Sequence, residues 1–240
     1  MATREFIIPG NHQETLCYAA EHFITSAQKA IQDHDAFYVA LSGGSTPKAV
    51  YSLLTTPPYC EEIEWNKVHL FWSDERAVCL TDKESNYHMA MEAGFKQMPL
   101  ASPHIHPMIA DQEIEKNALS YERTLRRILE DRVFDLILLG VGEDGHTASL
   151  FPGTQALEIT DRWVAANYIP EKKSWRMTLT FPCLNEAAAT VFYVLGKSKQ
   201  KIVTTVFKEK NHLPCQFVGT EESPSLWILD DQAAEGLKRK

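Results

Sequence analysis

No stretch of the 240-residue sequence approaches the roughly 18 consecutive apolar residues that a membrane-spanning helix needs. The N-terminal run Met-Ala-Thr-Arg-Glu-Phe-Ile-Ile-Pro-Gly is too short in its apolar part and carries an acid, so it does not read as a signal peptide. Excess positive charge is missing too. Lys and Arg number 24 against 32 Asp and Glu, a net charge of −8, which disfavours general attraction to nucleic acid or to an acidic membrane face. The five cysteines (Cys17, Cys60, Cys79, Cys183, Cys215) are odd in number, widely scattered and lack any Cys-x-x-Cys spacing, which argues against a disulfide framework or a zinc site. Reduced thiols in a cytoplasmic protein are the expectation. Low-complexity linkers and internal repeats are absent, so residues 1–240 read as one α/β domain, long enough to bury roughly 70% of the unfolded surface.

What is there is an alternation. Leu16, Ala19, Ala20, Phe23, Ile24, Ala27 and Ile31 recur at three and four, which predicts an amphipathic helix over 12–33. A strand over 36–41 follows, then Ser42-Gly43-Gly44-Ser45-Thr46-Pro47 and a helix over 48–54, with Thr46 as cap and Pro47 in the first turn. Strands are also expected over 68–72, 134–139, 162–167, 176–181, 190–195 and 225–229, with helices near 85–93 and 111–131. Leu136-Ile137-Leu138-Leu139 is apolar on both faces, as a buried parallel strand requires. The pattern predicts a doubly wound, mostly parallel sheet with helices on both faces. Such sheets bind ligands beyond the carboxyl ends of their strands, and the polar loops Ser42–Pro47, Ser73–Arg76 and Gly140–His146 are all expected there.

Each loop admits two readings. Gly43, Gly44 and Ser45 before a helix N-terminus suit a phosphate, or form a plain strand-to-helix turn; the Gly-Lys-Ser/Thr of a nucleoside triphosphate site is lacking. Arg76 either holds a phosphate or an oxyanion, or pairs with Asp74 or Glu75. His146 in Gly142-Glu143-Asp144-Gly145-His146 is suited to take a proton from water near neutral pH, with Asp144 or Glu143 orienting its ring. Taken alone, Arg176 and Lys199 are simple surface charges. His104-x-His106 lacks a third ligand and reads as a surface strand, so no metal is expected.

In order, Leu41–Pro47, Ser73–Arg76, Ser85-Asn86-Tyr87, Gly140–Gly153 and Arg176–Thr180 resemble the 6-phosphogluconolactonase family, and the likeness runs from the first helix to Asp230. The resemblance implies a three-layer, Rossmann-like fold of the glucosamine-6-phosphate deaminase type and hydrolysis of 6-phospho-D-glucono-1,5-lactone without a cofactor. It implies His146 as general base with Asp144 as its partner. Arg76, Arg176 and Lys199 are implied as anion-binding residues, beside the Gly43, Gly44 and Ser45 segment; Arg76 is the candidate for the oxyanion, and the division of phosphate and oxyanion among the three cations stays open. The partner is then a small sugar phosphate, with no nucleic acid and no membrane; oligomeric state stays open. Leu184 and Leu195 depart from the family's usual Ile and Thr. A glucosamine-6-phosphate deaminase is the nearest alternative, but it prefers Asp-Glu-Tyr where this chain has Asp74-Glu75-Arg76, and Phe-Asn-Glu-Pro where this chain has Thr147–Gly153. A non-catalytic sugar-phosphate sensor would carry a helix-turn-helix, for which the roughly 35 residues before the first expected strand leave no room.

Overall fold

The computed structural model describes residues 3–237. Six strands form one parallel sheet in the order β1 (Arg4–Ile7), β9 (Ser225–Leu229), β8 (Thr190–Val194), β5 (Leu136–Leu139), β2 (Phe37–Leu41) and β3 (Val68–Trp72). Both of its faces are covered, because α1 (His12–His34) lays Phe23 against Phe37 of β2 and receives the Tyr193 hydroxyl of β8 on the Ala19 carbonyl, while α6 (Gln200–Lys208) sets Phe207 against Trp227 on the opposite face. Double coverage is why β2, β5 and β8 are buried along their whole length.

Local chemistry fixes the helix ends. Asn11 accepts from the Gln13 and Glu14 amides while Glu14 accepts from the Asn11 amide, a reciprocal capping box that starts α1. The helix α2 (Ser45–Leu54) starts earlier than the expected 48–54, and Gly44 rather than Thr46 occupies the cap. No side chain caps it, so its first N–H groups are free to meet a ligand.

The sheet itself corrects one expectation. The segments over 164–169 and 174–179 do not join the parallel sheet: β6 (Val164–Ile169) and β7 (Ser174–Leu179) form an antiparallel hairpin, and β7 pairs on its other side with β4 (Asp74–Arg76). Asp74-Glu75-Arg76 is therefore a short strand of a second sheet, not a loop. It follows Ser73 directly after β3, and α4 (Ile114–Leu129) packs against β6 and β7. The strand β1 was also not expected; it adds to the sheet edge beside β9 through backbone pairing, with Glu5 and Phe6 exposed.

His104 and His106 are not on a surface strand either. Ile105 bridges Leu70 of β3, and His69, His104 and His106 collect into a half-buried stack, with His69 and His104 ring centres 3.7 Å apart and His69 Nδ1 3.4 Å from His106 Nε2. Burial, reinforced by the neighbouring imidazoles, pushes His69 down to about 4; burial, with His104 and Arg127, does the same for His106. Both are neutral in the folded protein at a pH where the unfolded chain, with an ordinary value near 6.5, is charged. The unfolded state then binds more protons between about pH 6.5 and 4, so stability falls as the pH drops through that window and falls no further from these groups below it. Replacing His69 with Phe is expected to flatten this acid limb in melting temperatures recorded from pH 7.5 to 4; an unaltered slope would count against the account.

Candidate active site

The carboxyl ends of β2, β5 and β8 open side by side, and β4 and β7 stand beside them. Between them lies a cavity of about 450 Å³ whose wall includes Gly43, Gly44, Ser45, Arg76, His146, Arg176 and Lys199. Asp144 stands behind His146 rather than on the wall.

The loop after β5 is built around its imidazole. The Gly142 amide donates to the His146 carbonyl at 2.9 Å and the Gly145 amide to the Gly142 carbonyl at 3.1 Å, which closes a tight turn. Gly145 adopts φ +81°, and a Cβ there would strike Leu213. Asp144 Oδ1 accepts from the His146 amide at 3.1 Å and lies 2.5 Å from His146 Nδ1. Partial burial pushes the Asp144 carboxyl up, but the amide and ring of His146 outweigh it and hold Asp144 below the ordinary carboxylate value. An ionised Asp144 accepts a hydrogen bond from Nδ1–H, which leaves the lone pair on Nε2. Phe151 stacks on the imidazole with ring centres 3.9 Å apart and fixes its plane. Glu143 is exposed, and Asp144 is the carboxylate that touches the ring.

Arg76 and Arg176 face each other directly across β4 and β7. Among the described residues neither they nor Lys199 make an ion pair. The acids beside Arg76 are committed elsewhere. Asp74 accepts from Ser149 Oγ at 2.6 Å and from Asn86 Nδ2 at 3.1 Å. Glu75, fully buried, accepts from the amides of Arg76, Asn86 and Tyr87 and from Ser85 Oγ, so it clamps the start of α3 (Asn86–Glu92) onto β4. The pairing of Arg76 with Asp74 or Glu75 is thus not the arrangement found; its Nη1 donates to the Glu84 carbonyl instead. Burial lowers the Arg176 pKa, with Asp74 opposing and the Arg76 charge adding to the shift. Two like charges at one wall, with both buried Nε atoms lacking a partner, favour anionic groups beside them.

Next to them the loop after β2 offers donors. Tyr51 Oη accepts from the Ser42 amide and donates to the Ser42 carbonyl, both at 3.0 Å, which pins the strand end. Gly44 has φ +109°, and a Cβ on Gly43 would run into the Asn86 amide. The Ser45 and Thr46 amides begin α2, and Ser42 Oγ is buried without a partner. Lys199 approaches from the end of β8, its Nζ donating to the Val141 carbonyl at 2.8 Å.

Asp74, Asn86, Phe151 and Lys172 also line the cavity and were not singled out from the sequence. Asn86 lies in the quoted Ser-Asn-Tyr run, but nothing local says that its amide reaches back twelve residues to Asp74. Lys172 arrives only because the β6–β7 hairpin folds over the site.

The family model of glucosamine-6-phosphate isomerases/6-phosphogluconolactonase matches residues 10–227. The chain belongs to this family. It is 38% identical to a 6-phosphogluconolactonase of Chlamydia pneumoniae over 90% of this chain and 83% of that protein, and 38% identical to one of Synechocystis over 89% and 90%. Among solved structures it resembles 6-phosphogluconolactonases of Thermotoga maritima (31% identity, TM-score 0.81, covering 96% of this chain and 100% of that one) and of Trypanosoma cruzi (28%, 0.87, 100% and 99%). The parallel sheet with its flanking helices is the fold of this family. Among the described residues no group of three or more His, Cys, Asp or Glu is placed to hold a metal ion, and no helix is long and apolar enough to cross a membrane.

For this family member, Asp144→Asn removes the charge that favours the Nδ1–H form of His146. A drop in kcat of about tenfold or more, with KM nearly unchanged, is expected in steady-state rates, since the side chain stands behind the ring and not on the cavity wall.

Proposed function

We propose that the chain hydrolyses 6-phospho-D-glucono-1,5-lactone to 6-phospho-D-gluconate, a step of the oxidative pentose phosphate pathway. The observation that carries this reading is one cavity wall with a carboxylate-backed imidazole and another with two guanidiniums that make no ion pair among the described residues, in a chain whose relatives are named for this reaction. In the proposed reaction the sugar phosphate lies with its phosphate on the first turn of α2, held by the Gly43, Gly44 and Ser45 segment with Arg176 and Lys199. Nε2 of His146 accepts a proton from water as the water oxygen bonds to C1. Arg76 stabilises the tetrahedral oxyanion. Collapse re-forms the carbonyl and breaks the bond from C1 to the ring oxygen; the imidazolium returns its proton to that oxygen, and the new carboxylic acid ionises. Holding the remote phosphate aligns C1 with the water, which is where positioning lowers the barrier.

No residue is assigned to a cofactor or metal in this scheme. The chain is taken to act as one α/β domain on a small molecule, without nucleic acid or membrane, and its five free thiols suit a cytoplasmic setting. The test is hydrolysis of freshly generated lactone above the spontaneous background, run beside ammonia release from glucosamine 6-phosphate. Hydrolysis without ammonia supports the reading. Ammonia release, or a rate equal to the background, overturns it.

A further inference from the structure

Asp230 is fully buried at the carboxyl end of β9, next to the end of β8, where Val194 lies opposite Leu229. An acid so placed is costly unless donors surround it. Its Oδ2 accepts from the Gly196 amide at 2.9 Å, its Oδ1 from the Ala233 amide at 2.8 Å, and His12 Nδ1 lies 3.4 Å from Oδ2. Gly196 is where the chain turns from β8 toward α6, with φ +95°. Its carbonyl takes the Lys199 amide at 3.0 Å, and Lys199 then reaches Val141 and the cavity. Position 195 is a buried leucine, so that position lends the turn no side-chain donor or acceptor, and of the turn's own side chains Lys197 reaches outward to Glu235.

We propose that Asp230 is a positioning residue for Lys199: by holding the Gly196 turn from the neighbouring strand, it sets where the Lys199 ammonium stands in the cavity. This rests on the reading in which Lys199 holds the substrate phosphate. Asp230 itself touches no substrate. Its carboxylate fixes one amide, that amide's residue fixes the first turn leading into α6, and the turn presents the cation.

The experiment is a double-mutant cycle with Asp230→Asn and Lys199→Met, reading kcat and KM for the lactone and, independently of turnover, binding of 6-phosphogluconate by calorimetry. Asp230→Asn is expected to raise KM and the dissociation constant about three- to tenfold with kcat within about twofold, and to add nothing further once Lys199 is Met. Equal fold-changes in both backgrounds would show that Asp230 supports the fold alone and overturn the proposal. If Lys199→Met leaves KM and binding unchanged, the phosphate role of Lys199 fails and the proposal fails with it. Additive effects beside a Lys199→Met defect sink only the proposal. Should Asp230→Asn not fold, Gly196→Ala, which strains the same turn at its positive φ, carries the same cycle with the same two outcomes.

Discussion

Replacing His146 by Gln is expected to lower kcat for lactone hydrolysis by about 10²- to 10⁴-fold, the usual contribution of a positioned general base. The lactone carbonyl is already an activated ester, so water needs only to lose its proton as it attacks. In the proposed reaction Nε2 of His146 takes that proton, since Nδ1 is engaged by Asp144 at 2.5 Å. Glutamine keeps polarity and approximate reach but cannot accept a proton at neutral pH. The side chain is part-exposed and its contacts are Asp144 and the Phe151 ring, so the melting temperature should move little. Initial rates must be corrected for spontaneous hydrolysis. A variant that retained more than about a third of the wild-type kcat would remove His146 from the proton transfer.

The legible part of this molecule is the part whose signals are local. Runs such as Leu136–Leu139 carry their burial on both faces, and Phe23 and its periodic neighbours mark α1 without any knowledge of its partners. The glycine-rich segments Ser42–Gly44 and Gly140–Gly145 likewise announce turns. The second sheet does not announce itself. Asp74-Glu75-Arg76 is three charged residues with no alternation to read, and it becomes a strand only because Arg176, one hundred positions later, arrives opposite Arg76. The same distance hid the roles of Asp74 and Asn86. Thr46 has the better capping side chain, yet a loop that must leave its amides free is served by Gly44, which has none.

That second sheet also explains how a chain with net charge −8 holds a cationic cavity. Glu75 is turned inward to gather the α3 amides and Asp74 toward Ser149 and Asn86, so the acids adjoining Arg76 spend their oxygens on backbone and side-chain donors. Arg76 and Arg176 then face the cavity without a counter-ion among the described residues. Their mutual repulsion is relieved when an anion arrives, so the cost of keeping them together favours binding.

A single methyl group at Gly142 should do nearly as much damage as loss of the imidazole. Gly142 lies outside the left-handed backbone region, so alanine is conformationally acceptable there. The obstacle is steric: a Cβ built at this position runs into His146 Nδ1 and Cε1 and into Asp144 Oδ1, the atoms of the dyad itself. Backbone cannot yield easily, because the Gly142 amide is bonded to the His146 carbonyl and the Gly142 carbonyl accepts from Gly145. The ring must therefore rotate away, breaking the 2.5 Å contact with Asp144 and moving Nε2 from the place the proposed proton transfer needs. Gly142→Ala is expected to reduce kcat about 10²-fold or more, and to cost about 1–3 kcal/mol of stability as an overpacked site, or roughly 2–4 °C of melting temperature for each kcal/mol. Combined with His146→Gln it should lower kcat little further, because the methyl acts only through a ring that is no longer there. Independent, multiplying losses in the double variant would mean that Gly142 matters for direct access of the substrate, and the dyad geometry would not be what the glycine protects.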